Sequence, residues 1–135
     1  MSQIETVQTR ARAEMVDITP RLLQAIERKK LVNGLAVIFV AHTTAGVTIN
    51  ENSDETVKSD LLEKLTRMVP QNESYYQHDE GNSDAHLMAS LMGHSVTVLV
   101  ENGRPMLGRW QAIYLCEFDG PRERRVLIKL VPHAA

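Results

Sequence analysis

The run LAVIFVA, Leu35–Ala41, constrains this chain more than any other segment. Seven consecutive apolar residues are too few for an ordinary helix and suit a strand. With no polar residue alternating among them, both faces of that strand are expected to be buried. Such a strand needs partners, and the flanking sequence supplies them. Ile4–Arg10 and Glu14–Ile18 read as short strands before it; Ser95–Val100, Met106–Phe118 and Arg125–Val131 read as strands after it. Asn102-Gly103 is a hairpin-turn signal, and Asp119-Gly120-Pro121 marks another turn. Hairpins of this kind make the sheet mostly antiparallel.

Helical segments are interposed. Thr19-Pro20 reads as an N-cap followed by proline at N1, with Leu22, Leu23 and Ile26 as the apolar face and Arg28–Lys30 at the C-terminal end. A second helix is expected over 53–68, capped by Asn52 or Ser53, with Val57, Leu61, Leu65 and Met68 in one stripe. A third spans Ser83–Met92 and ends at Gly93. The class is α+β. No repeat, low-complexity tract or linker divides the 135 residues, so residues 1–135 are expected to form one domain.

Composition removes several function classes. A net charge of −2 offers no field for nucleic acid or an anionic membrane. A single cysteine, Cys116, excludes an internal disulfide framework and reads as a small core residue. No apolar run approaches the roughly 20 residues of a membrane span, and the N-terminus has no signal-type apolar core. A cytoplasmic protein is the expectation.

Two polar stretches carry what chemistry the chain has. HTTAGVTINENSD, His42–Asp54, directly follows the apolar run. His42 offers an imidazole or a metal ligand, Thr43 and Thr44 offer hydroxyls, and Asn50, Glu51 and Asp54 fall at the entry to the second helix. On a helical wheel Asp54 lies within about 20° of Leu61 and Leu65, which turns it toward the core side. Simple helix capping by Asn52 and Asp54, with His42 a structural histidine, accounts for the same residues.

The second stretch, YYQHDEGNSDAH, Tyr75–His86, holds His78, Asp79, Glu80, Asn82, Asp84 and His86, with Gly81 permitting a sharp turn. His78 and His86, with His42 as third ligand, would make an open zinc-type site; carboxylates and asparagine could instead hold Mg²⁺ beside a phosphate. Taking Leu87, Met88 and Leu91 as the apolar side of the third helix, His86 faces away from its own core. A solvated loop with a helix cap fits the same composition. Trp110 reads as a core or interface residue, and Gly108 as a bulge or close approach. Glu117 is placed to answer an arginine of PRERR (Arg122, Arg124, Arg125), a basic cluster that reads as a solvated loop or as a phosphate binder.

Three blocks, HTTAGVTINENSD, VPQNESYYQHDEGNSDAHLMASLMGHS (Val69–Ser95) and NGRPMLGRWQAIYLCEFDGPRERRV (Asn102–Val126), resemble the YjbQ-like family in order and across nearly the whole chain. The last holds the frame formed by Gly103, Gly108, Trp110 and Gln111. The resemblance implies a mostly antiparallel, β-sandwich-like core with two or three flanking helices, assembled as a homotrimer with sites between subunits. It implies a weak thiamine-phosphate synthase activity, joining a hydroxymethylpyrimidine pyrophosphate to a thiazole phosphate with release of pyrophosphate. The family's polar positions fall on His42, Thr43, Asn50, Glu51, Asp54, His78, Asn82, Asp84 and His86. The expected roles are catalytic for His42, Thr43, Asn50, Glu51 and Asp54. Asn82, Asp84 and Arg125 are expected to bind the phosphorylated ligand, and His42, His78 and His86 to hold a divalent ion, Mg²⁺ or Zn²⁺. A metal-dependent hydrolase and a non-catalytic binder of a small phosphorylated molecule are the rival readings.

Overall fold

A computed structural model gives the structure of residues 2–133. Along the chain run β1 (Gln3–Gln8), β2 (Glu14–Asp17), α1 (Thr19–Lys29), β3 (Gly34–Val40), β4 (Ala45–Glu51), α2 (Glu55–Met68), α3 (Ser83–Met92), β5 (Ser95–Glu101), β6 (Arg104–Pro105), β7 (Gln111–Glu117) and β8 (Glu123–Pro132). Every strand pair is antiparallel. The strands form one sheet of order β1-β8-β3-β5-β6 and another of order β2-β7-β4. The fold is α+β, as the pattern of strands and helices predicts.

Alternation along the strands builds two cores, one on each face of the smaller sheet. Between the sheets lie Ala36, Ile38 and Val40 of β3, Val98 and Val100 of β5 and Val126 and Ile128 of β8. They meet Ala45 and Val47 of β4 and Ile113 and Leu115 of β7, with α1 closing one end through Leu22, Ala25 and Ile26. On the far face of the smaller sheet, Met15, Ala112, Tyr114 and Cys116 pack against Ala85, Met88 and Ala89 of α3 and, more loosely, Leu61, Leu62 and Leu65 of α2. Burial there pushes the Cys116 thiol up to about 12, so it is an inert core side chain.

Several expectations change. LAVIFVA is buried on one face only: Leu35 and Phe39 are exposed on the outer face of the larger sheet. Thr19 is the first residue of α1 rather than its cap, and its hydroxyl accepts from the Ile113 N–H at 2.9 Å, tying the helix start to β7. The Met106–Phe118 strand is shorter at its start. Gly108 N–H donates to Gln111 Oε1 and Gln111 N–H donates back to Gly108 O, a tight turn that delays β7 until Gln111. Trp110 sits on that turn, 52% exposed and stacked under Arg109 rather than in the core. β4 is the element the apolar pattern passes over, because Gly46, Thr48, Asn50 and Glu51 dilute it.

Candidate functional site

β4 divides the first polar stretch in two. Its seven residues extend about 20 Å, with His42 and Thr43 before its start and Asn50 and Glu51 at its end. Within one chain these are two places, not one cluster. At the far end Asn50 Oδ1 accepts from the Glu51 N–H at 2.7 Å, and the Glu51 carboxylate accepts from Ser53 Oγ at 3.1 Å. Asp54 is exposed and caps α2, accepting from the Thr56 N–H at 3.0 Å and the Thr56 hydroxyl at 2.6 Å. Those two bonds hold its carboxyl below the usual range. The inward placement expected from the helical wheel fails for a physical reason: a cap residue has extended φ/ψ, here −123° and 111°, so helical phase does not apply to it.

The near end is different. His42, Thr43, Thr44, His78, Glu80, Asn82, His86, Asp119, Arg122 and Arg124 line an open concavity of about 330 Å³. Strand ends, the loop before α3, the start of α3 and the loop before β8 all converge there. α3 is rotated from its expected phase. Asp84, Ala85, Met88 and Ala89 face the core while Leu87 and Leu91 are exposed, and this rotation turns His86 into the concavity. The rings of His78 and His86 meet edge to face with centroids 5.4 Å apart.

Behind the concavity lies a buried ion pair. Arg124 donates from Nε to Glu117 Oε2 at 2.8 Å, from Nη2 to Glu117 Oε1, and from Nη2 to the Thr44 hydroxyl at 2.9 Å. Glu117 also accepts from the Thr9 hydroxyl at 2.7 Å and the Asp119 N–H at 2.9 Å. The expected answer of Glu117 to an arginine of PRERR is met by Arg124. The three arginines have three fates: Arg124 is buried with Glu117, Arg122 lines the concavity, and the Arg125 side chain is exposed on the opposite face of β8. Arg125 reaches the site through its backbone alone, its N–H donating to His42 Nε2 at 2.8 Å. Arg122 donates from Nε to Asp119 O at 2.7 Å and from Nη2 to Asp119 Oδ2 at 3.1 Å; among the described residues its Nη1 makes no hydrogen bond.

Asp84 is committed elsewhere. It is buried and paired with Arg12 through two bonds of 3.1 Å, a bidentate clamp on the first turn of α3. Asn82 donates to Asp119 Oδ2 at 2.8 Å, while its buried Oδ1 has no partner among the described residues. The structure therefore brings together His42, Thr43, His78, Asn82 and His86, and leaves Asn50, Glu51, Asp54, Asp84 and the Arg125 side chain outside. Sequence reasoning did not place Asp119, Arg122 and Arg124 at the site, although DGP and PRERR signalled that segment, and it named the Thr44 hydroxyl only within the first polar stretch.

For a metal ion the donor set fits in part. Among the described residues no three His, Cys, Asp or Glu side chains are grouped to hold one. The His42 Nε2 lone pair accepts the Arg125 N–H at 2.8 Å, so in this structure that nitrogen is engaged by the backbone. His78 and His86 are neighbours packed edge to face, and the His78 Nε2 lies 3.9 Å from Glu80 Oε1.

Residues 3–133 match the UPF0047 protein YjbQ-like family. The chain belongs to that family. A UPF0047 protein of Methanocaldococcus jannaschii is 49% identical over 125 residues, covering 93% of this chain and 90% of the relative. The UPF0047 protein YugU of Bacillus subtilis is 46% identical, covering 93% and 95%. The fold of the family is equally close: a crystal structure of an uncharacterised YjbQ/UPF0047 protein from Clostridium acetobutylicum superposes with a TM-score of 0.93 at 44% identity, covering 96% of this chain and 99% of the other. A YjbQ-like protein of unknown function from Sulfolobus solfataricus gives 0.92 at 33% identity, covering 98% and 97%. Among the described residues no helix is long and apolar enough to cross a membrane.

Proposed function

We propose that the concavity binds the phosphoryl groups of a small phosphorylated molecule. On this proposal the UPF0047 chain is an enzyme of the thiamine-phosphate synthase type. The thiazole nitrogen attacks the exocyclic methylene carbon of hydroxymethylpyrimidine pyrophosphate, the carbon–oxygen bond breaks, and pyrophosphate leaves with the electron pair. The observation that supports this is the lining itself: three imidazoles, a threonine hydroxyl and a free arginine nitrogen face one depression of small-ligand size. Arg122 and Arg124 are each matched by a carboxylate, so attraction comes from directed donors and not from net charge. Donors fixed in place stabilise charge that develops on a leaving group without reorganising as it forms. A divalent ion held by His78 and His86 would add Lewis-acid neutralisation of the pyrophosphate. Arg122, anchored through Nε and Nη2, presents Nη1 to a phosphoryl oxygen.

The test is turnover of the two precursors by purified protein with Mg²⁺ or Zn²⁺. Arg122→Ala is expected to lower kcat/KM about 10- to 100-fold, the worth of one charge-assisted hydrogen bond. Unchanged kcat/KM removes Arg122 from the site. Phosphate release from either precursor alone would favour a hydrolase, and binding without turnover would favour a binding module.

The same proposal includes assembly with further copies of the chain as a closed trimer whose sites lie between subunits. It is supported by the outer face of the larger sheet, where Ile4, Leu35, Phe39, Leu99 and Val131 are all exposed on neighbouring strands. A concavity of about 600 Å³ at the end of this face, lined by Leu35, Leu99 and Val131 with Glu101 and His133 at its rim, adds apolar surface. A patch of this kind marks a protein contact. Leu99→Asp is expected to convert trimer to monomer by light scattering; a wild-type monomer at micromolar concentration would rule the assembly out.

A further inference from the structure

We propose that His42 serves the concavity as a neutral hydrogen-bond donor through Nδ1–H, in a tautomer set by the Arg125 backbone, and as neither a metal ligand nor a general base. This rests on reading the concavity as a phosphoryl site. A backbone N–H can only donate. The 2.8 Å contact from Arg125 N therefore requires an unprotonated Nε2 on His42. In a neutral imidazole the proton then sits on Nδ1. The Arg125 amide is itself fixed, since Arg125 belongs to β8 and pairs in register with Thr6 of β1. His42 follows β3 in sequence and has no helix to shift it, so the contact ties the start of the site to the middle of the larger sheet.

The electrostatic surroundings agree. Desolvation, then the charges of Arg124, Arg125 and Arg122, depress the His42 imidazolium, against the opposing pull of Glu117. A ring so placed has no lone pair left for a metal and no vacant nitrogen to take a proton in the cleft. Its remaining polar group is the Nδ1–H. That group is an uncharged donor, so no proton has to be gained or lost when pyrophosphate arrives or leaves.

The experiment pairs NMR with two isosteric variants. In protein labelled with ¹⁵N-histidine at pH 7, His42 is expected to show the Nδ1–H tautomer. Zn²⁺ should move His78 and His86 but not His42. His42→Gln retains an acceptor for the Arg125 N–H and loses the donor at the Nδ1 position; His42→Asn does the reverse. Pyrophosphate affinity is expected to fall about tenfold in His42→Gln and to recover toward wild type in His42→Asn. Melting temperature should follow the opposite order. A protonated Nε2, a zinc-dependent shift of His42, or wild-type affinity in His42→Gln overturns the proposal. Absence of pyrophosphate binding by the wild-type protein overturns the phosphoryl reading and the donor role together, and the tautomer is still read by NMR.

Discussion

Glu117→Ala is expected to cost about 3–5 kcal/mol of stability, read as a lowered midpoint in urea denaturation. Glu117 is fully buried, and Arg124 is 3% exposed. Removing the carboxylate leaves a buried guanidinium without its counter-charge and takes away the acceptor of the Asp119 N–H, while the Thr9 hydroxyl keeps its bonds to the Arg122 backbone. The loss reaches across the fold. Arg124 belongs to the larger sheet, Glu117 to the smaller one, and Thr44 precedes the strand beside it. A double variant, Glu117→Leu with Arg124→Met, is expected to recover much of the loss, because the penalty lies in the orphaned charge. A single-variant loss below 1 kcal/mol would show that the pair is not holding the sheets.

The same carboxylate sets an acid limit. Burial alone would raise its pKa. The Arg124 hydrogen bond, the Asp119 N–H, the Thr9 hydroxyl and the Arg124 charge outweigh burial and hold it below the ordinary value. The unfolded chain therefore binds the proton first as pH falls. The stability contributed by Glu117 is complete above the unfolded carboxylate value and is lost as pH falls through the folded one. In Glu117→Gln that acid-side slope should flatten.

How far the sequence carried the fold depends on what each segment advertises. The two-residue turn at Asn102-Gly103 has φ of 53° and 76°, which few residue pairs other than these adopt, so the hairpin was legible. α2 was legible from its stripe at 3.6-residue spacing. β4 was not, although Val47 and Ile49 alternate with Thr48 and Asn50, because the His and Thr residues before it drew the stretch toward a loop. Missing β4 made His42 and Asp54 look like neighbours. The histidine end of the site was legible as composition, since His42, His78, Asn82 and His86 converge. The arginine contribution was not, because Arg122 is placed by its loop bonds to Asp119 and the other two by strand alternation in β8. Arg124 and Arg125 differ by one residue and lie on opposite faces.

Gly46→Val is expected to destabilise the protein by about 3 kcal/mol and to weaken ligand binding at the histidine end. Gly46 lies in β4 directly beneath the end of α3. A Cβ there would lie 2.5 Å from Gly93 O and 3.3 Å from the Met92 Cβ. The nearer atom is a backbone carbonyl oxygen that already accepts the Val47 N–H at 3.0 Å, so it cannot simply turn away. Relief requires α3 to lift from the sheet. α3 carries His86 and is entered through Asn82, and its first turn is clamped by Asp84 to Arg12. Lifting α3 from the sheet strains that clamp and shifts the first turn, which carries His86, relative to His42 on the strand side. Gly46→Ala should give a smaller loss in the same direction. Denaturation and pyrophosphate titration should therefore fall in step, Ala before Val. Wild-type affinity in a folded Gly46→Val protein would show that the close approach of α3 to β4 does not position the site.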